Sequence, residues 1–235
     1  MMGAKDRDRV MMVQFHQSYS YEDFIEGFRP SASGFDLIKG SFYTFCKKAQ
    51  DDTDNDYFFI VDEINRGNLS KIFGELFMLI ENDKRGPNNK LQLLYSRERF
   101  YVPSNVYLIG MMNTADRSLA MLDYALRRRF AFFDLRPGFD SKGFIAYRDS
   151  LGNPKLNNLL ACTVKLNAAI SDDDTLGDGF CIGHSYFCGM KAADVTDAKL
   201  SAIVEYELAP MLREYWFDEP SKVREWTDAL RKSIK

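Results

Sequence analysis

The segment YFFIV, residues 57–61, is an unbroken apolar run closed by Asp62 and Glu63. A strand with one wet face alternates apolar and polar residues, so a continuous run is what a strand needs when helices cover both sheet faces. A polar turn, INRGN, follows, and then LSKIFGELFMLIE, residues 69–81. Leu69, Ile72, Phe73, Leu76, Phe77 and Ile80 recur there at helical spacing and predict one amphipathic helix. VMMVQFH (10–16), VYLIGMMN (106–113) and FAFFDL (130–135) read as further strands, and FYTFCKKAQ (42–50) and roughly 119–128 as further helices. Strands alternating with helices predict an α/β domain built on a mainly parallel sheet.

Between these elements, QSYSYEDFIEGFRP reads as a polar-aromatic loop closing on Gly27 and Pro30. KRGPNNK ends the helix, and LQLLY with RFYV reads as a hairpin. After RPGFD the strand signal fades. Residues 155–171, 197–217 and 220–232 carry helical periodicity, with Pro220 suited to a first helical position. The predicted division is an α/β domain over 1–136 and a smaller helical domain over 137–235.

Hydrophobic residues at 46% and charged residues at 28% argue against a disordered chain. A formal net charge of −3 opposes nucleic-acid binding through a diffuse positive field, so any DNA contact is expected to be local or borrowed from a partner. The four cysteines and two histidines form no CxxC pair and no metal-ligand spacing, as in a protein that keeps its thiols reduced. The opening MMGAKDRDRV has charges where a signal peptide would be apolar, and no apolar run suits a bilayer span. A cytoplasmic protein without membrane contact is the expectation.

In open parallel sheets, ligands sit beyond the carboxyl ends of the strands. Three predicted strand ends are polar: His16-Gln17, Asp62-Glu63 and Asn113-Thr114. An apolar strand ending in two acids is the Walker B pattern, in which Asp62 would hold magnesium through water and Glu63 would polarise the attacking water. The alternative is that both acids cap or salt-bridge the following helix. Asn113 on a neighbouring strand could accept from that water and donate to a γ-phosphate, or could cap a helix beginning near Ser118. DYALRRRF places Arg127, Arg128 and Arg129 at a helix end. Consecutive helical residues point about 100° apart, so the three cannot all serve one carboxylate. One projecting guanidinium suits a finger acting on a neighbour's phosphate, while the bland reading is a set of cations answering the helix dipole.

VQFHQSYSYEDFIEGFRP, VDEINRGNLSKIFGELFMLIE, NVYLIGMMNTADRSLAMLDYALRRRFAFFDL and GHSYF together resemble the AAA+ domain of McrB-like GTPases, the motor subunits of 5-methylcytosine-specific restriction systems. The likeness runs from about Val13 to the C-terminal helix. It implies that Asp62 and Glu63 are the Walker B acids and metal-holding pair, and that Asn113 is sensor 1. NTADR (113–117) is implied as the family signature, with Asp116 and Arg117 near the subunit contact and the nucleotide. Arg128 is implied as the trans-acting finger and Arg129 as its companion. His184 is implied to face the nucleotide, with a purely structural histidine as the open alternative. Cys181 stands where the resemblance leads one to expect arginine. The family implies GTP, less commonly ATP, with Mg2+ as cofactor, a homo- or hetero-hexameric ring, an McrC-like nuclease partner, and DNA reached through the complex.

Such a motor also needs a first strand and a glycine-rich P-loop ending in Gly-Lys-Ser/Thr, whose amides and lysine cradle the phosphates. These 235 residues contain no Gly-Lys dipeptide, so the expected fold is a P-loop NTPase-like parallel sheet lacking its first strand and P-loop. That implies a gap of roughly 10 Å between the strands that would flank the missing one, at ~4.8 Å spacing, and poor stability or catalytic silence for this polypeptide alone. A second reading is a non-catalytic ring subunit that lends Arg128 and Arg129 to a complete neighbour. A third is a different magnesium-dependent hydrolase reusing Asp62 and Glu63.

Overall fold

Three of the apolar runs become the sheet that carries the first part of the molecule. In a computed structural model, residues 6–113, 115 and 127–235 are described, and the chain divides into two units, Met1–Phe132 and Phe133–Lys235. In the first unit β1 (Val10–Gln14), β4 (Tyr57–Asp62) and β7 (Val106–Gly110) pair in parallel in the order β1-β4-β7. The register sets Met12 beside Ile60, Ile60 beside Ile109, and Val61 between Val13 and Gly110.

Side chains alternate across the pleat, so each register row lies on one face. Tyr57, Phe59 and Val61 point into the core and are buried. They meet α1 (Tyr21–Phe24), α2 (Ser41–Asp51) and α3 (Leu69–Phe73) through an aromatic cluster. Phe42 stacks on Phe24 at 4.7 Å and meets Phe59 edge-on at 5.0 Å, while Phe24 meets Phe73 at 4.8 Å. Such edge and offset contacts add to the large apolar area that these rings bury. The opposite face is more open among the described residues: Met12, Tyr107 and Ile109 are 56%, 48% and 43% exposed.

Several predicted elements are revised. QSYSYEDFIEGFRP is not a loop, because it contains α1 and β2 (Glu26–Ser31), which pairs antiparallel with β3 (Gly34–Lys39). Pro30 is tolerated because this two-stranded ribbon leaves its N–H side unpaired. The stripe over 69–81 is buried except for half-buried Phe77, yet its helix breaks at Gly74, where φ is +51° and the run continues as a 3-10 segment, Gly74–Phe77. The hairpin near 91–102 shrinks to two-residue strands, β5 (Leu91–Gln92) and β6 (Arg99–Phe100).

FAFFDL forms no strand, and Phe133 and Leu135 are 90% and 96% exposed. A strand is made by a neighbour's ladder, and among the described residues β7 is paired on one side only. The expected gap lay between β7 and a strand at 130–135. With no strand formed there, β7 is an edge among the described residues, unpaired on the side where the missing strand would lie, and the three strands that do form are contiguous. The helix predicted over 119–128 falls almost wholly outside the described residues.

The second unit is helical. α4 (Lys142–Leu151), which the sequence reading missed, starts at Ser141, whose hydroxyl accepts from the Phe144 N–H, and ends at Gly152 with φ +60°. α5 (Pro154–Ser171) carries Asn153 as its cap, with Oδ1 accepting from the Leu156 N–H at 3.0 Å. The region predicted as one helix over 197–217 is α6 (Asp197–Ala202), a π-helical stretch (Ile203–Leu208) and α7 (Ala209–Tyr215). Pro210 has no N–H to return to the Tyr206 carbonyl, and the wider π turn lies just ahead of it. α8 (Pro220–Ser233) begins on Pro220 as expected. Leu159, Leu166, Leu208, Leu212, Trp216 and Leu230 form the core of this unit. Asp173 ties it together, accepting from Trp216 Nε1 at 2.8 Å and from Lys222 Nζ at 2.5 Å. No described helix is long and apolar enough to cross a membrane.

Candidate active site

Because β4 and β7 run parallel, their carboxyl ends emerge at the same edge of the sheet. Asp62 is the last residue of β4, one step past Val61, which pairs with Gly110. Asn113 lies three residues beyond Gly110, outside the strand. The two chains stay tied past the ladder: Met111 N–H donates to Val61 O at 2.8 Å, and Ile64 N–H donates to Met111 O at 3.0 Å. On the other side, Phe15 N–H donates to Asp62 O at 2.9 Å, which holds the end of β1 against the same point. Beyond it, His16 is exposed and packs against Tyr19.

The chain turns sharply at the second acid. Glu63 has φ +50° and ψ +43°, a left-handed conformation that an L-residue adopts at a cost. Asp62 Oδ1 accepts the Glu63 N–H at 3.0 Å, and this bond helps hold the turn. Glu63 Oε2 accepts from Arg66 Nε at 3.0 Å, three residues on. Both acids are half-buried, so each still reaches solvent. Gly110 allows close packing beneath them: a Cβ there would lie 2.7 Å from Ile64 Cδ1.

Asn113 is exposed, and its Oδ1 accepts the Ala115 N–H at 3.1 Å, a local turn bond. Asp116, Arg117 and Thr114 lie outside the described residues. The arginines separate. Arg129 is held within the unit, with Nη2 2.6 Å from Glu81 Oε1 and its guanidinium 4.4 Å from the centre of the Phe77 ring. Arg127 and Arg128 are exposed. In the second unit, His184 Nδ1 accepts the Gly138 N–H at 3.0 Å, and its ring meets Phe144 edge-on at 5.3 Å. That bond places the imidazole proton of the neutral form on Nε2.

A magnesium ion in a nucleotide site needs only one or two protein carboxylates, because phosphate and water supply most of its oxygens. Asp62 fits that demand, with Oδ2 not taken up by the turn. Glu63 has one oxygen committed to Arg66 and fits better as a polar neighbour than as a rigid ligand. No cluster of three or more His, Cys, Asp or Glu suited to a metal occurs among the described residues.

Two neighbours of the acids escaped the sequence reading. Arg66 contacts Glu63, and the i,i+3 spacing of opposite charges was the signal. Asn65 has a buried Oδ1 without a hydrogen-bond partner among the described residues, and no sequence pattern announces that.

Comparison with known proteins gives two family matches. Residues 2–130 match the AAA domain of the dynein-related subfamily, and residues 158–224 match the alpha-helical lid domain of McrB. The chain is 54% identical over 239 aligned residues to the type IV methyl-directed restriction enzyme EcoKMcrB subunit of Escherichia coli K12, covering 97% of this chain and 51% of that protein. It is 28% identical to the type II restriction enzyme BsuMI component YdiS of Bacillus subtilis 168, covering 49% of this chain and 37% of that one. The chain thus spans about half the length of the first relative and less of the second.

Proposed function

The chain belongs to the AAA domain family, as an McrB-like member with the McrB type of helical lid, and from that footing we propose that it is part of the nucleoside-triphosphate-hydrolysing motor of a restriction system that acts on modified DNA. The observation that carries the proposal is the shared sheet edge at which Asp62, Glu63 and Asn113 emerge from adjacent parallel strands. GTP is the substrate we assign, with ATP the weaker choice. Magnesium, bound with the nucleotide, would neutralise phosphate charge as it develops.

In this reading Asp62, whose Oδ2 is not taken up by the turn, would hold the metal through water. Glu63 accepts the hydrogen bond of the attacking water, giving up its contact to Arg66 or using its other oxygen. The Asn113 carboxamide contacts the same water and the γ-phosphate, exchanging its local bond to Ala115 for them. Asp116 and Arg117 are assigned to the nucleotide and the subunit contact, and His184 is assigned to nucleotide binding. Arg128 reaches the phosphate bound by an adjacent subunit, and Arg129, fixed by Glu81, positions the helix end that bears it. The working form is a homo- or hetero-hexameric ring in the cytoplasm, coupled to an McrC-like nuclease, with DNA reached through the complex.

The phosphate cradle is not encoded in these 235 residues, so a polypeptide limited to them does not hydrolyse GTP unaided. A second reading, a ring subunit that donates Arg128 in trans, is favoured by the exposure of Arg128 beside a tethered Arg129. One experiment tests both. The chain is mixed with a complete McrB-type subunit, and GTP turnover is measured with and without Arg128→Ala. Changed turnover that Arg128→Ala abolishes supports donation. Tight GTP binding by the chain alone would overturn the missing-cradle proposal, and turnover indifferent to Arg128 would remove the donor.

A further inference from the structure

The least expected group in the first unit is Glu26, a carboxylate with 0% exposure at the start of β2. A buried charge survives only when its oxygens are fully used. Glu26 Oε2 accepts from Lys39 Nζ at 2.6 Å, across the base of its own hairpin. Oε1 accepts two backbone N–H bonds from a different hairpin, from Tyr95 at 3.0 Å and Ser96 at 2.8 Å, in the turn between β5 and β6. The base of one hairpin therefore grips the tip of the other.

The grip is doubled and extended. Lys39 Nζ also reaches Glu98 Oε2 at 3.2 Å, and Glu98 in turn accepts from Tyr43 of α2 at 2.6 Å. From the same turn, the Leu94 N–H donates to Glu75 Oε1 at 3.1 Å, and Tyr21 OH donates to that oxygen at 2.7 Å. Glu75 sits in the segment that follows Asp62 and Glu63 and the polar turn. One hydrogen-bond path thus links two hairpins distant in sequence to the helical run behind the acidic strand end.

We propose that the two hairpins, 26–39 and 91–100, and the helical segment 69–77 behave as one mechanical body, so that a partner pressing on either hairpin acts on the segment behind Asp62 and Glu63. This goes beyond the hydrolase reading and does not require it. The network is dry at Glu26 and spans elements far apart in sequence, which is what makes separate movement costly.

Hydrogen exchange on the whole chain tests the proposal with substitutions made in one element and read in another. Lys39→Met in β3 should speed exchange of the Tyr95 and Ser96 amides by about tenfold, the scale of losing a hydrogen bond to a charged group. Glu98→Gln should speed exchange within 26–39, and Tyr21→Phe should speed Leu94 together with 69–77. Amides of α5 in the other unit should not change. If Lys39→Met fails to fold, Tyr43→Phe removes a single bond and should raise both hairpins together by a smaller factor. Loosening confined to the mutated element, or a uniform rise that includes β4, would overturn the proposal.

Discussion

Substituting Glu63 exposes the tension between the fold and the chemistry of the candidate site. Its φ of +50° and ψ of +43° place an L-residue in the left-handed region, at a cost of roughly 1–2 kcal/mol. Alanine keeps that penalty, whereas glycine escapes it and instead loses about 0.5–1 kcal/mol through the extra freedom of its unfolded chain. Both variants lose the Arg66 contact, worth about 0.2–0.5 kcal/mol at this spacing, so that term cancels between them. Glu63→Gly should therefore be more stable than Glu63→Ala by about 0.5–1 kcal/mol, the reverse of the usual order. Both tryptophans, Trp216 and Trp226, lie in the second unit, so their fluorescence would miss the effect. Native-state hydrogen exchange of the β4 amides reads it directly, with the tryptophan transition serving as an unchanged control. An alanine variant as stable as the glycine variant would refute the claim that the turn at Glu63 is strained.

Further outcomes are expected elsewhere. Gly110→Ala brings a Cβ to 2.7 Å from Ile64 Cδ1, and should lower the stability of the first unit by about 1–3 kcal/mol in urea titrations followed by far-ultraviolet circular dichroism. Burial pushes the Glu98 carboxyl up, but Lys47, Tyr43 and Lys39 outweigh it and hold the group at about 2, below its ordinary 4.5. A depressed carboxylate stabilises above its unfolded value, and that contribution drains as pH falls from about 4.5 towards about 2. Glu98→Gln should cost about 1–2 kcal/mol at pH 7 after solvent screening and flatten the acid limb of the stability curve for the first unit. The open face bearing Met12, Tyr107 and Ile109 should bind an environment-sensitive apolar dye, and Met12→Lys with Ile109→Lys should reduce the signal severalfold. An unchanged signal would mean that the face is covered in solution.

What could be read from the sequence was whatever depends on a residue and its near neighbours. YFFIV carried the signal of a core strand, although only its Tyr57, Phe59 and Val61 face is fully buried, and the stripe from Leu69 to Ile80 could only turn one side to a core. Pro220 marked a helix start through its fixed φ, whereas the start at Asn153, whose side chain closes a bond to the Leu156 N–H within one turn, went unread. The strand-end acids and asparagine were legible because a parallel sheet puts its carboxyl ends on one edge, whatever the detailed packing. The hairpin at 26–39 was not legible, since Gly27 and Pro30 carry the local signal of a loop and its stability comes from Glu26 gripping a turn seventy residues away. FAFFDL shows the same dependence in reverse: its composition favours a strand, but a strand exists only where another edge meets it.

The sequence by itself determined which residues are apolar enough to build the sheet and which acids stand at its end. Tertiary structure alone decided that Glu63 sits in a left-handed turn against Arg66, that Arg129 is tethered while Arg128 is exposed, and that a buried carboxylate joins two hairpins. The physical reason is range: periodicity and caps act within a few residues, whereas strain, desolvation and ion pairing depend on groups that only the folded chain brings together.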